Sequence, residues 1–195
     1  MNQRRSVRDF SDRSVPLVVI EQALPAAGTA PSGAYKQTWH FALIMDPDVK
    51  ATLRGAAEQE EQEFYQRRAS QEWLDALAPL GTDANKPFLE TAPALIGVFM
   101  QKTAVSDDGK RRKNYYPIES GGIARALLIA ALHLSGLATL THTPNPIGFM
   151  NSIFGQPKNE KPYLLLVVGY PAENCRLLNI SRKSPYVIHC IVGKP

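Results

Sequence analysis

Two apolar stretches, "APALIGVFMQ" at 92–101 and "YLLLVVGYP" at 163–171, set the strongest limit on what this chain can fold into. Neither alternates polar with apolar residues, so each reads as a buried strand. A buried strand needs packed layers around it, and the chain supplies them. "SVPLVVIEQAL" (14–24) reads as a helix with Ser14 as a cap, Pro16 in the first turn, and Leu17, Ile20, Ala23 and Leu24 on one face. "PDVKATLRGAAEQEEQEFYQRR" (47–68) reads as a long helix from an Asp-Pro start. "PIESGGIARALLIAALHLSG" (117–136) is apolar on most sides and reads as central. "HFALIMD" (40–46) and "ATLTHT" (138–143) add strands. Strands alternating with helices point to an α/β or α+β fold around a mixed sheet. "GTAPSGAYKQTW" (28–39) is a turn-rich loop. From 69 to 86 the pattern blurs, with "SQEWLDAL" (70–77) as one helical stretch and "APLGTDANKP" (78–87) as loop.

Charge and motif content exclude several functions. The net charge of +4 suits an anionic ligand but is too mild to argue for nucleic acid. The dense run "GKRRK" (109–113) reads as a solvated loop. No apolar run reaches membrane-spanning length, and "ALLIAALHLSGLATL" (126–140) is interrupted by His133, Ser135 and Gly136. No signal-peptide pattern is present, and Cys175 and Cys190 show no metal-like spacing, so the expectation is a soluble cytoplasmic protein with reduced thiols. GxGxxG, GxxxxGK[ST] and GxSxG are missing, and His40, His133, His142 and His189 show no metal-ligand spacing. Chemistry in this chain therefore points to a bound organic cofactor, with no metal.

"RRSVRDFS" (4–11) then raises a question of charge. Arg4, Arg5 and Arg8 repel one another unless solvent or an anion sits among them. A charged, frayed terminus and an anion cradle are both open on this evidence.

The opening "RRSVRDFS", the loop "APSGAYKQTWHF" (30–41), and then "TAPALIGVF" (91–99), "GLATLTHTP" (136–144), "NEKPYLLLVVGYP" (159–171) and "SRK" (181–183) follow one another in an order that resembles the nitroreductase-type flavoprotein family. The resemblance covers nearly the whole chain. It implies a single FMN-binding α+β domain over 1–195, in an obligate homodimer with exchanged terminal arms and sites built across the interface. It also implies roles. Arg4, Arg5, Ser6 and Arg8, joined by Arg182, hold the FMN phosphate and ribityl group. Ser32 and Gly33 contact the flavin ring, although "PSG" is also common turn chemistry. Thr141, His142 and Thr143 form the segment at the flavin edge, with the Thr143 side chain near flavin N5 as the catalytic hydroxyl.

Within that family, the iodotyrosine deiodinase branch carries a glutamate four residues before a tyrosine, and a lysine further on. Glu61 and Tyr65 form such a pair in "EEQEFY", and Lys86 stands in "NKPFLETAP". An amino-acid zwitterion needs an anion for its ammonium, and a cation with a hydroxyl for its carboxylate. Helical spacing puts Glu61 and Tyr65 on one face. Residues 58, 60, 61 and 63 are all glutamates, so a solvated acidic face is the alternative. The resemblance makes about 58–88 a lid that closes over the flavin and excludes water. It implies reductive dehalogenation of a halotyrosine using NAD(P)H, directly or through a reductase partner. The substrate phenolate would be held by the backbone N–H near Ala34. A hydroxyl at N5 would favour two one-electron steps over hydride transfer. A broad FMN-dependent nitro- or quinone reductase is the second reading, and a flavin- or tyrosine-binding protein without turnover is the third. Two features depart from the vertebrate pattern: His142 stands where those members have threonine, and "NPIGFM" (145–150) suggests a bacterial-type member. The vertebrate branch has a membrane anchor before the arginines, so the expectation here is a naturally soluble or trimmed chain.

Overall fold

The computed structural model describes residues 1–106 and 108–193. Its centre is a four-stranded sheet built from β1 (Trp39–Ile44), β2 (Ala94–Gln101), β5 (Ala138–His142) and β6 (Glu160–Gly169), in the order β1-β2-β6-β5. Every pairing among these strands is antiparallel. Among the described residues, parallel pairing, expected of a mixed sheet, is confined to one bridge between Ser6 and Thr139.

The two apolar stretches are the central strands, and each face of the sheet buries alternate residues of both. Ile96, Val98, Met100, Leu164, Leu166 and Val168 pack against α1 (Leu17–Gly28) and α5 (Pro117–Leu134). Leu95, Phe99, Leu165 and Val167 face the other way, onto α2 (Pro47–Glu63), α4 (Phe88–Thr91) and α6 (Met150–Ile153). A strand covered on both sides has no polar face to alternate with, which is why the runs are continuous. Pro162 fits into β6 because the register shifts there, Val98 pairing with Leu164 and Phe99 with Pro162. Gly121 lets α5 approach β2: a Cβ at that position would lie 2.0 Å from the Met100 sulfur.

Local signals place the helices, with corrections. Asp46 caps α2 as an Asp-Pro start predicts, its Oδ1 accepting from the N–H of Asp48 at 2.9 Å and of Val49 at 3.0 Å. Ser14 does not cap α1: that helix starts at Leu17 with Pro16 in the cap position and no side-chain bond. The α2 pattern ends at Glu63, and Phe64–Arg68 continues as a π-helical turn before α3 (Gln71–Leu77), capped by Ser70. "GKRRK" is not loop throughout. Arg111–Lys113 form β4, paired with β3 (Thr103–Val105) in a small hairpin. The central character expected of α5 holds on one side only. Ala124, Leu128 and Leu132 are buried, whereas Ile118, Ile123 and Leu134 are exposed.

Lys50 ties α2 to α4. Its buried Nζ donates to the carbonyls of Glu90 and Ala92, both at 2.8 Å. Burial pushes its pKa down, against the raising effect of Glu90. Residues 172–193 form an arm that includes α7 (Pro185–Ile188) and is largely exposed, with Tyr186 and Val192 at 89% and 92% exposure. No helix among the described residues is long and apolar enough to cross a membrane.

Candidate active site

The second face of the sheet opens, beyond the end of β5, into a cavity of about 200 Å3. Its walls come from four places. Arg8 enters from the N-terminal segment, and Glu61, Phe64 and Tyr65 from the end of α2 and the π turn. Trp73 and Leu77 of α3 stand beside Thr82, Lys86 and Phe88, and Leu140 to Thr143 with Asn145 close the β5 side. The π turn inserts an extra residue into the helix, a feature common at functional sites. Arg68 then folds back so that its Nη2 lies 2.9 Å from the Glu60 carboxylate. Phe64 seats Trp73 edge-on at 5.0 Å between centroids, so the wall is aromatic.

Glu61, Tyr65 and Lys86, predicted from far-apart positions, meet here. Lys86 Nζ lies 3.2 Å from Glu61 Oε2, with side chains only 3% and 13% exposed. The Thr82 hydroxyl joins the group, 3.3 Å from Lys86 Nζ and 3.4 Å from the Tyr65 hydroxyl. Lys86 Nζ also donates to the Asp83 carbonyl and sits 5.4 Å from the centre of the Tyr65 ring. Burial, more than any neighbour, raises the Tyr65 pKa, so the phenol stays a neutral donor. The acidic face of α2 is therefore not simply solvated. Glu61 pairs with Lys86, Glu60 with Arg68, Glu63 with Arg67, and Glu58 with Arg54.

His142 forms the floor. It is 8% exposed, its ring is edge-on to Phe88 at 5.7 Å, and its Nε2 has no hydrogen-bond partner among the described residues. Burial first, and the nearby Lys86 charge second, push its pKa down to about 3, so the imidazole is neutral. Thr141 and Thr143 flank it on the cavity wall and are exposed.

The N-terminal segment is anchored along its length. Buried Val7 and Phe10 fasten it, Val7 N–H donates to the Thr139 carbonyl at 3.2 Å, and Ser11 N–H donates to Tyr170 at 2.9 Å. The extended backbone splits the arginines. Arg8 reaches the cavity, while Arg5 lies in a groove with Val7, His133 and Leu177. Arg5 Nη1 donates to the carbonyls of Asn2 at 2.9 Å and Arg4 at 3.0 Å. Arg182 reaches the same strand end, donating to Asn2 at 2.6 Å and Arg4 at 2.7 Å. None of Arg4, Arg5, Arg8 and Arg182 has a carboxylate partner among the described residues. A guanidinium carries five donors, so these bonds leave several for an anion.

Ser32, Gly33 and Ala34 lie elsewhere, beside the start of α5 in the layer across the sheet from the cavity. Ser32 Oγ accepts from Gln37 N–H at 2.9 Å, and Gly33 N–H donates to Ser120 Oγ at 3.4 Å. Gly33 is needed for an internal reason: a Cβ there would stand 2.7 Å from the Tyr115 carbonyl. Ala34 has φ at 50°, in the left-handed region. The cavity also contains residues that sequence reasoning missed, namely Phe64, Leu77, Thr82, Phe88, Leu140 and Asn145. Thr82 offered one signal, standing four residues before Lys86.

A phosphate-bearing flavin fits this donor set: the Arg8 guanidinium, without a carboxylate partner among the described residues, for the phosphate, flanking threonine hydroxyls, and an unpartnered buried ring nitrogen beside aromatic side chains. The comparisons agree on the class. The nitroreductase family model matches residues 1–170, and the chain belongs to the nitroreductase family, a family of FMN-dependent oxidoreductases. Within it the chain falls among the iodotyrosine deiodinases. The iodotyrosine deiodinase of Haliscomenobacter hydrossis is 54% identical over 183 residues, covering 94% of this chain and 82% of that protein. That of Nematostella vectensis is 42% identical over 184 residues, covering 94% and 70%. The crystal structure of oxidized iodotyrosine deiodinase bound to FMN and 3-iodo-L-tyrosine matches with a TM-score of 0.80 at 29% identity, over 94% of each chain.

Proposed function

We propose that this protein binds FMN and removes iodide reductively from a halotyrosine, giving tyrosine. The observation that carries the reading is the buried Glu61–Lys86 pair with Tyr65 beside it, lining one cavity together with Thr141, His142 and Thr143. A surface ion pair has no need of burial, because desolvating two charges is costly. A pair that opens to receive a second, complementary pair of charges does. The substrate ammonium takes the place of Lys86 at Glu61, and the carboxylate receives hydrogen bonds from Lys86 Nζ and the Tyr65 hydroxyl.

Bound FMN supplies the two electrons that, with a proton, convert the carbon–iodine bond to carbon–hydrogen and release iodide. NAD(P)H, directly or through a reductase partner, is the proposed source of those electrons. The chain's own residues do the rest. Arg8, with Arg4, Arg5, Ser6 and Arg182, holds the phosphate. The segment 58–88 acts as a lid, and Phe64, Trp73 and Leu77 exclude water so that each charge contact strengthens. The Thr143 hydroxyl donates toward the flavin. His142, neutral at working pH, adds no charge of its own to the cavity that would hold the flavin.

A homodimer completes the site in this reading. Ser32, Gly33 and Ala34, proposed to touch flavin ring and phenolate, sit across the sheet from the cavity of their own chain, so they serve the cavity of a second. The apolar residues Ile118, Ile123 and Leu134 on the open side of α5, and the exposed C-terminal arm, give such a dimer surface to bury. Anaerobic incubation of the FMN-loaded protein with dithionite and 3-iodotyrosine tests the activity: tyrosine and iodide in equal amounts support it, and intact iodotyrosine refutes it. A nitro- or quinone reductase is the second reading, favoured by the match of residues 1–170 to the nitroreductase family model.

A further inference from the structure

Lys86 stands in a short irregular stretch between Leu80 and α4, where Thr82 and Asp83 bond its ammonium but not its backbone N–H. The backbone is held from α2 instead. Glu58 Oε1 accepts the backbone N–H of Lys86 at 2.6 Å and the Nε of Arg54 at 2.7 Å. The same Arg54 donates through Nη2 to Asn85 Oδ1 at 2.9 Å and lies 3.5 Å from the Glu90 carboxylate through Nη1. Burial alone would raise the Glu58 pKa, yet the Lys86 N–H and the Arg54 guanidinium together hold it below its usual value. Glu58 therefore stays a carboxylate that bonds to two donors at once. Glu58 and Glu61 are three residues apart on one helix, so the group that fixes the Lys86 backbone and the group that pairs with its ammonium move as one body. None of Arg54, Glu58, Asn85 and Glu90 lines the cavity.

We infer that Arg54 and Glu58 are positioning residues that set Lys86 at the right height for a substrate carboxylate, so that preference for an amino-acid zwitterion over a bare phenol is governed by side chains that never touch the ligand. The inference rests on the zwitterion reading of Glu61, Tyr65 and Lys86. It follows from rigidity: a lysine chain loses much rotamer freedom on binding, and a fixed backbone lowers the cost of aiming it. A phenol without ammonium or carboxylate gains nothing from that aim.

Flavin-fluorescence titrations of FMN-loaded protein with 3-iodotyrosine and with 2-iodophenol provide the test. Glu58→Ala is expected to raise the Kd for 3-iodotyrosine about tenfold, as loss of one charge-assisted hydrogen bond would, and that for 2-iodophenol by less than about twofold. Glu58→Gln keeps an oxygen for the Lys86 N–H and is expected to recover most of the loss. Arg54→Gln is titrated alongside, so that a variant that fails to load FMN leaves another to decide, and it too is expected to weaken 3-iodotyrosine selectively. Equal losses for both ligands, or none for either, would overturn the positioning role. The unmutated protein separates the two claims. If it prefers 3-iodotyrosine and Glu58→Ala keeps that preference, only the strut fails; if it shows no preference, the zwitterion reading and the strut fall together.

Discussion

Replacing Lys86 with methionine isolates the buried charge pair. At 3.2 Å and an effective dielectric of 20, the attraction to Glu61 is about 5 kcal/mol (332 divided by 20 times 3.2). That is a gross figure, because both groups have given up water. Breaking a buried pair by removing one partner costs about 3 kcal/mol net, since the other charge is left uncompensated. With Lys86 only 3% exposed, solvent cannot easily take its place. The loss should fall on the segment that the pair closes, from the π turn at Phe64–Arg68 to Lys86, and not on the sheet. Hydrogen exchange reads this locally. A cost of about 3 kcal/mol corresponds to roughly a hundredfold faster exchange of amides in 64–82 in Lys86→Met, with amides of β2 and β6 unchanged. Adding Glu61→Gln removes the stranded charge and should restore part of the protection, as coupled sites do. Unchanged exchange in 64–82 would show that the pair does not hold the segment, and uniform acceleration through β2 and β6 would show that it serves global stability instead.

Other perturbations probe the rest of the site. Glu61→Gln should weaken binding of 3-iodotyrosine by about tenfold or more, and that of 2-iodophenol little, by isothermal titration. Arg8→Ala should purify largely without flavin, checked by the ratio of 450 to 280 nm absorbance, because Arg8 is the cavity's own guanidinium. His142 gives a pH signature. Its folded pKa of about 3 lies below the 6.5 of the free side chain, so the unfolded chain binds the extra proton first and stability falls as pH drops from 6.5 toward 3. Between about pH 7 and pH 5 this amounts to about 2 kcal/mol, and His142→Leu should remove that slope from urea unfolding curves. A variant that keeps the slope would assign it to other groups.

Much of the fold was legible, for reasons visible in particular residues. Continuous apolar runs mark β2 and β6 because layers cover both faces, and Asp46-Pro47 marks the start of α2 because one carboxylate bonds two of its free N–H groups. The Ser14 cap was misread since Pro16 has no N–H and already carries a helix-compatible φ, leaving the serine outside the first turn. The β3–β4 hairpin escaped notice because Arg111–Lys113 present charge on every side, as exposed strands can. At the site, Glu61 and Tyr65 share a face by local spacing, and the family resemblance linked Lys86 to them. Glu58 and Arg54 were not legible, and Thr82 only through its four-residue spacing from Lys86, since their roles depend on how the stretch before α4 lies against α2. Nor did the sequence reveal that Ser32 to Ala34 and the cavity lie on opposite sides of the sheet.

The central claim is that this cavity grips a zwitterion while the aromatic part of the ligand lies against FMN. Titrating FMN-loaded protein with 3-iodotyrosine and following flavin fluorescence, with 2-iodophenol as the control, tests it most directly. Strong, saturable quenching by 3-iodotyrosine with weak quenching by 2-iodophenol is the predicted result. Equal quenching by the two, or none, would contradict it and leave a nitroreductase-family flavoprotein whose Glu61, Tyr65 and Lys86 serve structure alone.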